Sequence, residues 1–202
     1  MKNLIIDYMP FHIRPEVIKE SLKNNNGRLV VSGVLQRKNA INQNGRIYPG
    51  PILEREIKKY DQLVTDRRAL GELDHPDSSV VNLSNVSHNI VEMKWNGDDL
   101  VGKVEVLTTP AGNILRELFK SGIKLGISSR GLGSTEDKDG ALEVQEDFEL
   151  IAFDFVSNPS THGAFLDPIN ESIKNGTDER LNKYHQINGI ITDILLDSKE
   201  ML

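Results

Sequence analysis

Gly126-Ile127-Ser128-Ser129-Arg130-Gly131-Leu132-Gly133 sets three glycines, two adjacent serines and one arginine in a single run, entered from the apolar and basic Ile123-Lys124-Leu125. The pattern from Lys124 to Gly133 predicts a strand. Glycine at this density suits backbone that must approach another group closely or adopt φ > 0. Ser128 is the first candidate for chemistry. A serine hydroxyl becomes a nucleophile only when a base takes its proton and donors hold the oxyanion that follows. Alone, the run reads more plainly as a strand entering a turn, with the serines as ordinary turn residues.

Downstream, Ser134 to Gly140 reads as a turn and Ala141 to Gln145 as a returning strand. Glu149 to Val156 is a further strand, in which period 2 separates Ala152, Asp154 and Val156 from Ile151, Phe153 and Phe155. The bulky face is the expected core. Asp154 then points toward a cleft or toward water, and a surface aspartate is the plainer expectation because a buried unpaired charge is too costly. Upstream, Thr109-Pro110 starts a helix from Ala111 to Lys120 with Ile114, Leu115 and Leu118 on one face, and Gly122 ends it. Before that, strands Ser87 to Trp95 and Asp99 to Leu107 flank Asn96-Gly97-Asp98, a hairpin signal.

Residues 1–27 read as a lead-in with a short helix begun by Pro15. Arg28 to Leu35 is a strand, Lys38 to Pro49 a polar loop, and Gly50 to about Tyr60 an amphipathic helix whose stripe is Ile52, Leu53, Ile57 and Tyr60. Leu70-Gly71-Glu72-Leu73-Asp74-His75-Pro76 is the second unusual stretch. Pro76 biases His75 toward extended backbone, at a strand end or in a loop. Glu72 and Asp74 are near enough in sequence to orient an imidazole or to form a solvated acidic edge. With His75, Asp74 and Asp77 alone and neither H-E-x-x-H nor a cysteine pair, no metal site is expected.

The chain has 202 residues, enough for one well-buried domain with termini and tight for two. A net charge of −6 without a basic stripe argues against a general nucleic-acid binder. The absence of cysteine removes disulfides, thiolate metal sites and cysteine catalysis together, and fits a reducing compartment. Met1 to Phe11 has one lysine and a short apolar run broken by Asp7 and Pro10, so it lacks a signal-peptide core. No apolar run is long enough to cross a bilayer. The expectation is a soluble intracellular protein without membrane partner or cofactor. After Asp167 the composition turns polar, with Asn175-Gly176 as a turn signal and a final amphipathic stretch through Ile190, Ile191, Ile194 and Leu195.

Four stretches in order, NGRIYP (44–49), GELDHP (71–76), GISSRGLGS (126–134) and FDFVSNPS (153–160), resemble the prohead core proteases of T-even-type tailed phages. The resemblance spans about residues 28–166. It implies an α+β fold, a β-barrel surrounded by helices like the herpesvirus assembly protease, and a serine endopeptidase that digests the internal scaffold and trims capsid proteins. The implied place of action is the immature capsid in the host cytoplasm, and a homo-oligomer is conceivable. The implied domains are a lead-in (1–27), a protease domain (28–166) and a C-terminal appendage (167–202).

By position, Ser128 becomes the nucleophile, His75 the general base and Asp154 the third member, with Glu72 as the alternative orienter. The herpes-type relative uses a second histidine there, which keeps His88 and His162 open. The backbone around Arg130 and Gly131 is the oxyanion candidate, with the Arg130 guanidinium as a possible helper. The resemblance also implies cutting after glutamate in Ile/Leu-x-Glu. Ile169-Asn170-Glu171 and Ile18-Lys19-Glu20 fit, making Glu171 and Glu20 self-cleavage candidates. Ile52-Leu53-Glu54 and Leu115-Arg116-Glu117 fit too, but within expected helices. The rival classes are a non-catalytic scaffold or capsid-interaction module on the same fold, and a metal-dependent hydrolase centred on His75.

Overall fold

The computed structural model describes residues 2–11, 13–74, 76 and 78–157, all within one compact unit, Met1–Pro168. The strands are β1 (Asn3–Phe11), β2 (Leu29–Arg37), β3 (Arg46–Ile47), β4 (Leu70–Glu72), β5 (Val86–Asn96), β6 (Asp99–Val106), β7 (Leu125–Gly133), β8 (Thr135–Lys138), β9 (Ala141–Val144) and β10 (Glu149–Val156). The helices are α1 (Pro15–Asn24), α2 (Gly50–Thr65) and α3 (Pro110–Lys120). Strands group into three sheets, ordered β1-β7-β10, β2-β6-β5-β4 and β3-β9-β8. The fold is therefore mixed α+β and mostly sheet, but the expected barrel is absent: among the described residues no sheet closes on itself.

The core fills the space on one face of the β1-β7-β10 sheet. Ile5, Phe11, Ile127, Phe153 and Phe155 are all buried there. Phe155 is met edge-on by Phe11, His88 and Phe119, at centroid distances of 5.1, 4.7 and 5.3 Å. Offset and edge contacts of this kind suit the ring quadrupoles. In the hairpin, Gly97 has φ of 61° and Leu100, Val104 and Val106 point inward, as the alternation requires. Leu53, Ile57 and Tyr60 bury one side of α2. No described helix is long and apolar enough to cross a membrane.

Three local expectations change. Ile114 is 56% exposed, and Leu115 with Phe119 forms the inward ridge of α3, an i, i+4 pair directed by the Thr109 cap, whose Oγ1 accepts from Gly112 N–H at 3.0 Å. The expected turn at 134–140 is mostly strand, with Asp137, Lys138, Asp139 and Gly140 leading β8 into β9. Residues 3–11, read as lead-in, form β1 and pair with β7 along its whole length. Pro10 is tolerated because β1 is an edge of its sheet.

Gly71 and Gly126 are needed for close approach. A Cβ on Gly71 would overlap the Phe153 carbonyl and the His88 ring, and one on Gly126 would overlap the Tyr8 ring. Neither glycine has a positive φ.

Candidate active site

β7 is the middle strand of its sheet, so each of its residues has a neighbour on both sides. Ser128 faces Tyr8 across the β1 ladder and Asp154 across the β10 ladder, giving one lateral row of phenol, hydroxyl and carboxylate. Directly opposed residues project to the same side of a sheet. Period 2 adds Gly126 and Arg130 to that side and sends Ile127, Ser129 and Gly131 into the core.

The two serines therefore have different surroundings. Ser129 Oγ accepts from Gln36 Nε2 at 2.7 Å and donates to the Asp7 carbonyl at 3.4 Å. Ser128 is 1% exposed, and its Oγ has no hydrogen-bond partner among the described residues. Buried polar atoms are nearly always satisfied, and an orphan calls for an explanation.

Beside Ser128 lies a buried ionic cluster. Arg130 Nε donates to Asp154 Oδ2 at 2.8 Å, and Nη2 donates to Glu72 Oε1 at 3.0 Å and to Asp154 Oδ1 at 3.3 Å. Arg130 Nη1 donates to the Ser78 carbonyl at 2.6 Å. All three side chains are fully buried. Asp154 thus points off the bulky face, as expected, but into an ion pair rather than water, which removes the objection to burying it. Burial pushes the Asp154 carboxyl above the ordinary carboxylate range, against the pull of the Glu72 N–H and the Arg130 charge. The Arg130 guanidinium is committed to Asp154, Glu72 and Ser78. Its backbone and that of Gly131 lie in the paired middle of β7, opposite Ile6 and Ile5 on β1 and Ala152 and Leu150 on β10. N–H groups of a central strand serve its two ladders, which competes with the oxyanion role expected of them.

The two unusual stretches of sequence meet here. Glu72 N–H donates to Asp154 Oδ1 at 3.0 Å, and Asp74 N–H donates to the Phe155 carbonyl at 2.8 Å. Leu73 bridges to Phe155 as well. The residue preceding His75 is thus bonded one position from Asp154, which itself stands opposite Ser128. His75 lies outside the described residues, as do Asp77, His12, His162, His185 and the self-cleavage candidate Glu171. Glu72 Oε1 also accepts from Asn82 N–H at 3.0 Å, whereas its buried Oε2 has no partner among the described residues. Asp154 has both oxygens engaged.

His88 has a different task. Its Nε2 is 2.9 Å from the Phe153 carbonyl and its Nδ1 is 2.8 Å from Ser87 Oγ. A carbonyl only accepts, so Nε2 carries the proton and Nδ1 accepts from Ser87. Both nitrogens are spent on the core. Burial lowers the imidazole to about 4, with the Phe153 bond opposing. The native state then binds fewer protons than the unfolded chain between about 4 and 6.5. This contribution is complete above pH 6.5 and is lost as the pH falls toward 4. We expect this His88 contribution, about 3 kcal/mol, to appear as the difference in pH slope between wild type and His88→Gln across that window, measured by urea midpoints at several pH values.

A second polar cluster, which sequence reasoning missed, lies on the core side around Asp7, opposite Ser129. Asp7, 1% exposed, accepts from Asn44 Nδ2 at 2.6 Å and Arg46 Nη1 at 2.7 Å on Oδ1, and from the Tyr48 hydroxyl on Oδ2. The same two donors reach the Ile6 carbonyl at 3.1 and 3.0 Å. Burial and the Asp7 charge push the Tyr48 phenol well up, so it stays a donor. NGRIYP is therefore a clamp on β1. Tyr8 and Asp7 were missed because Asp7 reads as an interruption; the alternation of Ile5, Asp7, Met9 and Phe11 is the signal that reveals the strand. The candidate Glu20 lies on α1, and the Ile18 of its motif is buried in the core.

Comparison with known proteins matches residues 5–174 to the model of the prohead core protein serine protease family. The prohead core protein protease of Enterobacteria phage T4 is 35% identical over 145 residues, covering 69% of this chain and 68% of the relative. The solved structure of the bacteriophage T4 capsid assembly protease is similar with a TM-score of 0.68 at 28% identity, covering 78% of this chain and 99% of that one.

Proposed function

Since the chain belongs to the prohead core protein serine protease family, we propose that it is the serine endopeptidase of capsid maturation, acting inside the immature capsid on scaffold and capsid proteins. The observation that carries the catalytic reading is the orphan Ser128 hydroxyl beside a buried ionic cluster, while its neighbour Ser129 is hydrogen-bonded into the core. Ser128 Oγ attacks the scissile carbonyl carbon as its proton passes to His75. The imidazolium then protonates the leaving amine. Water hydrolyses the acyl ester, returning a proton through His75 to Ser128. The bonding of Asp74 to Phe155 and of Glu72 to Asp154 supports bringing the segment that carries His75 to this row.

Of the two carboxylates named as orienters, Glu72 is the better supported, because its Oε2 has no partner among the described residues and can accept from an imidazole N–H. Asp154 supplies the Arg130 pairing. Glu72→Gln is expected to lower kcat about a hundredfold with KM little changed. Steady-state kinetics on a peptide substrate check this, and an unaltered kcat removes Glu72 from the mechanism.

Cleavage follows glutamate in Ile/Leu-x-Glu, and the enzyme processes itself after Glu171. Mass spectrometry of active protein with a scaffold substrate is expected to give fragments ending in glutamate, a product of the enzyme ending at Glu171, and loss of both with a fluorophosphonate. Inhibition by chelators with fluorophosphonate resistance would instead favour a metal-dependent hydrolase. An intact C-terminus after full scaffold digestion removes self-processing.

A further inference from the structure

We propose that Tyr8 is a substrate-positioning residue, its ring forming the wall beside Ser128 and its hydroxyl donating to an acceptor oxygen of the bound peptide. This rests on the reading of Ser128 as nucleophile. Tyr8 is directly opposite Ser128 in the β1–β7 register. Its ring occupies the space above Gly126 that any other residue's Cβ would fill, so Gly126 and Tyr8 together shape the surface along the strand from Ser128. Asp154 flanks Ser128 on the other side and is saturated by Arg130 and the Glu72 amide. Of the two residues that flank Ser128 in the row, Tyr8 is therefore the one with capacity for a ligand.

Two further observations separate Tyr8 from a core tyrosine. Tyr48 is 1% exposed and its hydroxyl is spent on Asp7, whereas Tyr8 is half-buried and its hydroxyl makes no hydrogen bond to another described residue. Burial raises its phenol, keeping it a neutral donor through the working pH range. An aromatic ring with a polar tip offers contact area at low conformational cost, and peptide carbonyls are the matching acceptors.

The strand that carries the ring is also held at the two positions before it. The neighbouring Asp7 carboxylate and Ile6 carbonyl are both gripped by Asn44 and Arg46, on the opposite face of the sheet. β1 is an edge strand, and a clamp at residues 6 and 7 fixes the register that sets Tyr8 against Ser128. A preorganised wall of this kind binds without having to be ordered first.

The test compares full-length wild type, Tyr8→Phe and Tyr8→Ala on a fluorogenic peptide containing Ile-Asn-Glu, together with the rate at which a small fluorophosphonate labels each protein. We expect KM to rise about tenfold in Tyr8→Ala and less in Tyr8→Phe, with kcat and labelling within about threefold of wild type. An unchanged KM in Tyr8→Ala overturns the proposal. So does a fall in kcat and labelling together at constant KM, which would make Tyr8 a support for Ser128 rather than a contact for substrate. Should Tyr8→Ala fail to fold, Tyr8→Leu keeps the bulk over Gly126 and is read by the same criteria against Tyr8→Phe. Full cleavage by Ser128→Ala refutes the parent reading, and this one with it; abolished cleavage there with normal KM in the Tyr8 variants refutes this one alone.

Discussion

Ser128→Ala is expected to abolish peptide and scaffold cleavage, with activity down by at least about a thousandfold, while the protein unfolds at an unchanged urea midpoint. The substitution removes one oxygen that has no partner among the described residues, so no native hydrogen bond is lost. Removing a buried unsatisfied hydroxyl is neutral or mildly stabilising. Ser129→Ala has the opposite profile. It breaks the bond from Gln36 and the weaker one to the Asp7 carbonyl, leaving a buried amide donor short of its acceptor. That costs about 1–3 kcal/mol of stability, with cleavage retained. Parallel activity assays and denaturation curves check the pair. Loss of activity in both, or a destabilised Ser128→Ala with active protein, contradicts the division of labour between the two serines.

Arg130→Met is expected to be the most damaging change to the fold at the site. It leaves Glu72 and Asp154 fully buried without their countercharge, and it frees the Ser78 carbonyl. Breaking a buried ion pair from one side costs about 3–5 kcal/mol, a large part of a typical domain's total. Arg130→Lys recovers only part of this, since a point charge cannot span both carboxylates as the guanidinium fork does. The pH dependence identifies the cause. Asp154 is already shifted upward by burial, and losing Arg130 moves it further the same way. A carboxyl raised in the folded state binds protons that the unfolded chain has released. The deficit of Arg130→Met relative to wild type therefore shrinks as pH falls from 7 toward 4. The His88 contribution is common to both proteins and cancels in the difference. A deficit under about 1 kcal/mol, or one that grows on acidification, contradicts the ionic account.

Local patterning made much of this legible. The Asn96-Gly97 turn, the Thr109 cap, the stripe of α2 and the alternation of β6 and β10 each act over a few residues, so the sequence states them directly. Asp154 shows where that ends. Period 2 assigns its face correctly, but whether that face meets water depends on Arg130, twenty-four positions away in sequence, and on Glu72. Asp7 is the same lesson on the other face: a charge that looks like an interruption of an apolar run is a buried acceptor for three donors from residues 44–48. β1 was hidden because its pairing partner lies more than a hundred residues downstream, and the barrel expectation failed because sheet closure is a property of the whole assembly of strands.

The site was partly legible for a comparable reason. Ser128 and Ser129 are indistinguishable as letters. Only the strand register separates them, by turning one toward the Tyr8–Asp154 row and the other toward Gln36. The glycines of the same run were expected to serve either close approach or positive φ. Close approach is what the structure uses, with Tyr8 over Gly126 and Phe148 over Gly131.

The most direct measurement is to react active, full-length protein with a fluorophosphonate and map the adduct by tandem mass spectrometry. The hydroxyl singled out by its lack of any described partner should carry the phosphonate, on Ser128 alone and in step with the loss of proteolysis. An adduct on Ser129 or another residue, or continued proteolysis by protein fully modified at Ser128, would contradict the account.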